Sequence, residues 1–213
     1  SNALEKAKRT ATIADVLTGR VAMQDALMDH PLGIKAVASH RNLNDLVPSE
    51  DQLRTILAGV LDSSDIVLLD THPHEPSLLG PMAVADRIMV PTALDILSLR
   101  AAALTVGLAQ QLNVLELIRG IVVTNVKRPM SRITESLLNG LTLSGLAFET
   151  ILWYSPGWIL ATSGRGELPD EELLTQSKQL LREMAVRPSP DQALRQFISM
   201  AQGRRPRAAA VGQ

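Results

Sequence analysis

The sequence predicts an α/β fold, a mostly parallel sheet flanked by helices, and three observations carry that expectation. Short unbroken apolar runs, Asp65-Ile66-Val67-Leu68-Leu69-Asp70 and Gly120-Ile121-Val122-Val123-Thr124-Asn125 foremost, suit strands buried on both faces. Helical stretches of about 10–15 residues alternate with such runs, the pattern of βαβ units with right-handed crossovers. The 213 residues are 46% hydrophobic but only 2% aromatic, so the core must be built from Leu, Val, Ile, Ala and Met.

Each element has its own signal. Residues 12–17 read as a short helix with Thr12 as N-cap and Gly19 just past its end. Residues 21–28 read as a second helix, stopped at His30-Pro31. Residues 33–38 suit a strand. Ser49 and Gln52 form a capping box that opens a helix to about Leu61. The run 65–70 is the next strand. A helix near 76–85 leads to a strand at 87–90, and a long helix near 98–112 leads to the strand at 120–125. A helix near 131–139 precedes a strand near 148–153. Helices near 170–185 and 190–201 close the chain.

Ser1-Asn2-Ala3 reads as the remnant of a cleaved tag and is set aside. One α/β domain is expected over 4–202, followed by a disordered basic tail over 203–213 that holds Arg204, Arg205 and Arg207 and no acid. The chain has no Cys, which excludes disulfides and any Cys-ligated zinc or iron–sulfur centre. The net charge of −1 argues against a wholesale nucleic-acid coat, though not against a local basic patch. No apolar run approaches the roughly 20 residues of a membrane span, so a cytoplasmic protein is expected.

In open α/β sheets, ligands bind beyond the carboxyl ends of the strands. Those positions hold Asp70-Thr71-His72-Pro73-His74-Glu75, Pro91-Thr92, Asn125, and Ser155-Pro156. An Asp that closes a buried strand must be paired, hydrogen-bonded or near a cation. Asp70 therefore either sits near Mg²⁺, through water, or anchors a loop or helix start, and spacing alone does not choose. His72 and His74 are a His-x-His pair without an evident third ligand, which favours solvated loop histidines over zinc. Trp153, Tyr154 and Trp158 crowd the end of the last strand, either as a contact for a ligand or partner or as filler at the sheet end. Ala193, Leu194, Phe197, Ile198 and Ala201 share one face of the last helix, which suits a helix docked on the core better than one lying on a membrane.

The string from Asp65 to Pro73 resembles the "yDyIiiDtpP" segment of the ParA/MinD family of deviant P-loop ATPases. Ala83 to Thr92 is similar to that family's "nAl.aaD.viiPt", Gly120 to Asn125 to its "g.vlN", and Thr12 to Gly19 to its "tl.dvL.g". The four motifs keep their order from about Thr12 to Ala185. The resemblance implies a P-loop NTPase-like fold of the SIMIBI type that binds ATP and Mg²⁺, dimerises, and positions DNA or another cargo with a partition-type partner protein. It places Asp70 near Mg²⁺ and the attacking water, and Thr71 and Pro73 in the segment that responds to the γ-phosphate. It gives Asn125 the adenine edge and puts Ser155 and Pro156 in the loop on the other side of the base. His72 stands where the family usually has Pro.

The family's Walker A motif, G-K-G-G-x-G-K-[ST], is nowhere in the sequence; Thr162-Ser163-Gly164-Arg165-Gly166 has no Lys and sits at the wrong end of the fold. Backbone N–H groups of that loop cradle the phosphates, so this chain alone is expected to bind no ATP or Mg²⁺ and to hydrolyse none. Either the P-loop portion is omitted upstream, which the scar running into Leu4 favours, or the natural protein lost it. A sheet without that strand would expose apolar edges and either pair with another copy or rearrange. Two further readings remain open: a non-enzymatic adaptor with a degenerate ParA-like fold, and a fragment of a related ATP-dependent synthetase. The last helix and the Arg tail are candidates for non-specific contact with DNA phosphates or a membrane.

Overall fold

Local capping chemistry sets where the helices begin, and the chain between them follows from what those helices can bury. The computed structural model describes residues 11–29, 34–38, 47–71, 75–127, 129–148, 152–153, 171–186 and 188–201. The chain divides into two compact units, Ser1–Val84 and Ala85–Gln213.

The first unit begins with α1 (Ile13–Leu17), whose N-cap Thr12 donates from its hydroxyl and its backbone N–H to the Asp15 carboxylate at 2.8 and 3.0 Å. α2 (Met23–Ala26) is shorter than expected, because Leu27 is already extended and Met28–Asp29 forms β1. β1 pairs antiparallel with β2 (Lys35–Ala36), so the predicted strand over 33–38 is present as a two-residue hairpin arm. α3 (Glu50–Ala58) opens on the expected capping box: Ser49 Oγ accepts from the Gln52 N–H, and Gln52 Oε1 accepts from the Ser49 N–H at 2.9 Å. α4 (Glu75–Val84) packs on α3 through Leu53, Ile56, Leu78 and Met82, all buried. A Cβ on Gly80 would lie 2.6 Å from the Pro48 carbonyl oxygen, so α4 approaches the chain ahead of α3 more closely than any other residue type allows.

One expectation fails in this unit. Residues 65–70 join no sheet, and Ile66 and Leu68 are 67% and 76% exposed. A strand exists only where a neighbour takes up its backbone N–H and C=O groups, and apolar content does not supply that neighbour.

The second unit carries the parallel sheet. β3 (Ile88–Thr92), β4 (Ile118–Val126) and β5 (Leu152–Trp153) lie in the order β3-β4-β5, with both pairings parallel. β4 is central, and β3 at the edge tolerates Pro91, which has no N–H to give to a ladder. α5 (Ile96–Gln111) connects β3 to β4, and α6 (Arg132–Leu143) lies between β4 and β5. α7 (Glu171–Val186) and α8 (Asp191–Ala201) follow.

The faces of β4 alternate as its pleat requires until the register shift between Thr124 and Val126, which returns Val126 to the face of Val123. Val123 and Val126 pack with Leu138 of α6 and Ala147, whereas Val122 packs with Phe148 and Leu180 of α7. Arg87 donates to the Met184 carbonyl at 3.0 Å, tying the entry of β3 to the last turn of α7. α8 docks on α5, and its Leu194, Phe197 and Ile198 are buried. The docked reading of that helix therefore holds, and the same face is not free to enter a lipid surface.

Candidate ligand cleft at the end of the central strand

β3 ends at Thr92, opposite Val123, while β4 runs on to Val126, and the turns that leave the two neighbouring strands bound a common space. Thr124 Oγ1 donates to the Thr92 carbonyl at 3.3 Å, and Thr92 itself is buried. From this tied base, Ala93 and Leu94 lead to Asp95, the N-cap of α5. On the other side Lys127, Pro129 and Met130 lead to Ser131, the N-cap of α6. The space between the turns is an open cleft of about 290 Å³. It lies outside the carboxyl ends of adjacent parallel strands, where α/β sheets place their ligands.

Asn125 forms part of this cleft and has an unusual backbone. Its φ is +58°, in the left-handed region, which costs an ordinary residue about 1–2 kcal/mol and which Asn visits more readily than most. It is also the extra residue in the pairing of β4 with β5: Thr124 is opposite Leu152 and Val126 is opposite Trp153, with a register shift between them. Such bulges redirect a side chain out of the ladder. The Asn125 side chain is exposed, and its amide makes no hydrogen bond among the described residues. A primary amide offers one acceptor and two donors, the set that can pair with a heterocycle carrying an amino group beside a ring nitrogen.

The two helix caps define the cleft walls. Asp95 Oδ1 accepts from the Ser98 N–H at 2.9 Å, and Ser98 Oγ donates to Asp95 Oδ2 at 2.6 Å. The hydroxyl of Ser98, and then its N–H, hold the Asp95 carboxyl below its usual pKa, so it stays a carboxylate on the cleft rim. Ser131 Oγ accepts from the Thr134 N–H at 3.1 Å. With both N-termini capped from within, the walls are polar but self-satisfied. Asn125 is the side chain that presents unspent hydrogen-bonding groups toward a ligand.

Of the residues the sequence singles out, Asn125 lies in this cleft. Asp70 and Thr71 lie in the first unit, outside any described helix or sheet, Asp70 exposed and Thr71 half-buried. Pro73, Ser155, Pro156, His72, His74 and the 162–166 segment lie outside the described residues, as does Tyr154. Among the described residues no group of three His, Asp or Glu is placed to hold a metal ion. Sequence reasoning missed Asp95 and Ser131 as cleft residues. Their signal was present as Asp95-x-x-Ser98 and Ser131-x-x-Thr134, N-cap spacings that place α5 two residues earlier than expected.

Parallel strands, helical connections and a cleft at the strand ends define an α/β architecture with a small parallel sheet. No family model matches the chain, and no curated protein matches it. Among solved structures it is similar to a chain of the MinC:MinD cell division protein complex of Aquifex aeolicus, with a TM-score of 0.58 over 95% of this chain and 77% of that one. The two are 16% identical, so the likeness is one of fold: a distant MinD-like fold. No described helix is long and apolar enough to cross a membrane.

Proposed function

We propose that this chain is part of a MinD-like, ATP-dependent positioning protein, and that the cleft beside Asn125 receives the adenine base. The observation that carries the reading is the backbone of Asn125. A bulge and a left-handed φ at the end of the central strand turn an unsatisfied amide toward the cleft. Such strain persists where the surroundings hold it, and it concentrates at ligand sites. The cleft volume suits a planar base better than a whole nucleotide.

The phosphate end is a different matter. The sequence contains no Gly-rich loop with a Lys to cradle phosphates. The fit to ATP is thus confined to the base. A contact of that size supports affinity in roughly the millimolar range. Phosphates and Mg²⁺ are then held by residues outside this cleft, and Asp70, Thr71 and Pro73 are the contributors the resemblance implies. A protein partner is proposed on the same footing, because the structural relative was solved in complex with MinC.

Calorimetry with ATP·Mg²⁺ tests this on the 213-residue chain and on the same chain extended upstream along its gene. The expected result is no measurable ATP binding to the first and micromolar binding to the second, lost when Asp70 is replaced by Ala. Absence of binding in both favours the adaptor reading. That alternative has one observation behind it: the segment ending at Asp70 stands outside the sheet.

A further inference from the structure

A base held by the Asn125 amide is not thereby selected. A primary amide carries an acceptor and two donors, and a half-turn of its terminal torsion exchanges them. One orientation gives the carbonyl oxygen to the amino group of a 6-aminopurine and the NH₂ to its ring nitrogen. The other gives the NH₂ to the oxygen of a 6-oxopurine and the carbonyl oxygen to its ring N–H. The exposed Asn125 side chain has no hydrogen bond among the described residues to fix one orientation. It can therefore grip either edge, and selection has to come from a group that cannot exchange its roles.

Asp95 is such a group. It lines the same cleft on the turn that leaves β3, whereas Asn125 stands near the end of β4. An ionised carboxylate accepts and never donates. Ser98 takes one acceptor site on each oxygen, its N–H at 2.9 Å on Oδ1 and its hydroxyl at 2.6 Å on Oδ2. A carboxylate has about four such sites, so Asp95 keeps capacity for a further donor. The same two bonds hold it ionised and oriented.

We propose that Asp95 is the specificity-determining residue of the cleft, admitting a 6-aminopurine and rejecting a 6-oxopurine. An amino group has two hydrogens. With one given to the Asn125 carbonyl oxygen, the second is left for the Asp95 carboxylate. A 6-oxo group brings only lone pairs toward that carboxylate, and the contact is repulsive. Lys127 lines the cleft too and only donates, so it pulls the opposite way, although it already has an interaction within the chain. This role for Asp95 rests on the cleft taking a base beside Asn125, and on nothing at the phosphate end.

NMR titration of the full chain with adenosine and with inosine tests it, since the two nucleosides share a sugar and differ at position 6 and the neighbouring ring nitrogen. At pH 7 adenosine should bind about three- to tenfold more tightly than inosine, the range that one exposed hydrogen bond supplies. Asp95→Asn and Asp95→Ser both keep an N-cap for α5, so circular dichroism should be unchanged. Either side chain can donate to an oxo group, and the preference should shrink to within about twofold. Lys127→Met should widen the preference, and Asn125→Gly should weaken both nucleosides alike. Equal binding of the two by the native chain, or tighter binding of inosine, overturns the assignment and leaves the base site standing. So does a preference for adenosine that survives both substitutions of Asp95. A native chain whose signals move with neither nucleoside removes the base site itself, and the role of Asp95 with it.

Discussion

Replacing Asn125 with Gly separates what the backbone of the cleft costs from what its side chain does. The residue sits at φ +58°. Glycine adopts that conformation freely, whereas a residue with a Cβ gives up about 1 kcal/mol or somewhat more, less for Asn than for most. The Asn125 amide has no described partner whose loss would offset the gain. Gly is more costly to order from the unfolded chain by about 0.5–1 kcal/mol. The two terms nearly cancel, so Asn125→Gly should change stability by under about 0.5 kcal/mol, or about 1–2 °C in Tm for a chain of this size. Asn125→Val sets the opposite limit: a β-branched residue in the left-handed region is an outlier, and a loss of about 2 kcal/mol is expected. Thermal melts followed by circular dichroism read both. Recognition should behave differently. Adenosine titrated to several millimolar should shift the amide NMR signals of Val126 and Ser131 in the native chain and leave them unmoved in Asn125→Gly. A Gly variant that loses more than about 1 kcal/mol would mean the amide is structural. A Gly variant that still binds adenosine would remove Asn125 as the reader of the base.

Two other outcomes follow from measured distances and ionisation. Gly80→Ala should destabilise by about 1 kcal/mol despite the higher helix propensity of Ala, because its Cβ would meet the Pro48 carbonyl at 2.6 Å and the ring of Pro81 disfavours a helical Cβ just before it. Gly107→Ala, with nothing within 4 Å, should instead stabilise by about 0.5–1 kcal/mol, and urea midpoints at constant slope distinguish the two. Asp95 has its carboxyl held below the usual value by Ser98, so its contribution to the start of α5 is present above the unfolded-state pKa and is lost as pH falls through the folded-state value. Stability measured below about pH 4 should therefore fall more steeply for the native chain than for Asp95→Ser, which keeps an N-cap without an ionisable group.

The parts of the fold that were legible in the sequence are those whose signals are local. Ser49 with Gln52 and Thr12 with Gly19 mark helix ends within a few residues, and the structure places α3 and α1 there. The run 120–125 was legible as a doubly covered strand because its covers, α6 and α7, are encoded in the same chain. The equally apolar run 65–70 was misread for the complementary reason. Its character as a strand depends on a neighbour, and hydrophobicity reports only the need for one. The hairpin of β1 and β2 was half-seen, because a two-residue ladder leaves no periodicity to read.

The site divides in the same way. Asn125 was identified by its place at the end of an apolar strand, but nothing in the letters 120–125 announces a bulge or a left-handed φ. Both arise from pairing with β5, whose two residues lie 26 positions or more away. The pairing matters for function because it changes which way the residue faces. In a regular ladder Asn125 would alternate with Thr124 and Val126 and point to one face of the sheet. With one residue left over against Leu152 and Trp153, the same amide is turned to the cleft between α5 and α6. An insertion or deletion that restored register between Thr124 and Val126 would keep every cleft residue and most of the core. It should nevertheless abolish adenosine-induced shifts, because the bulge aims the group that the cleft presents.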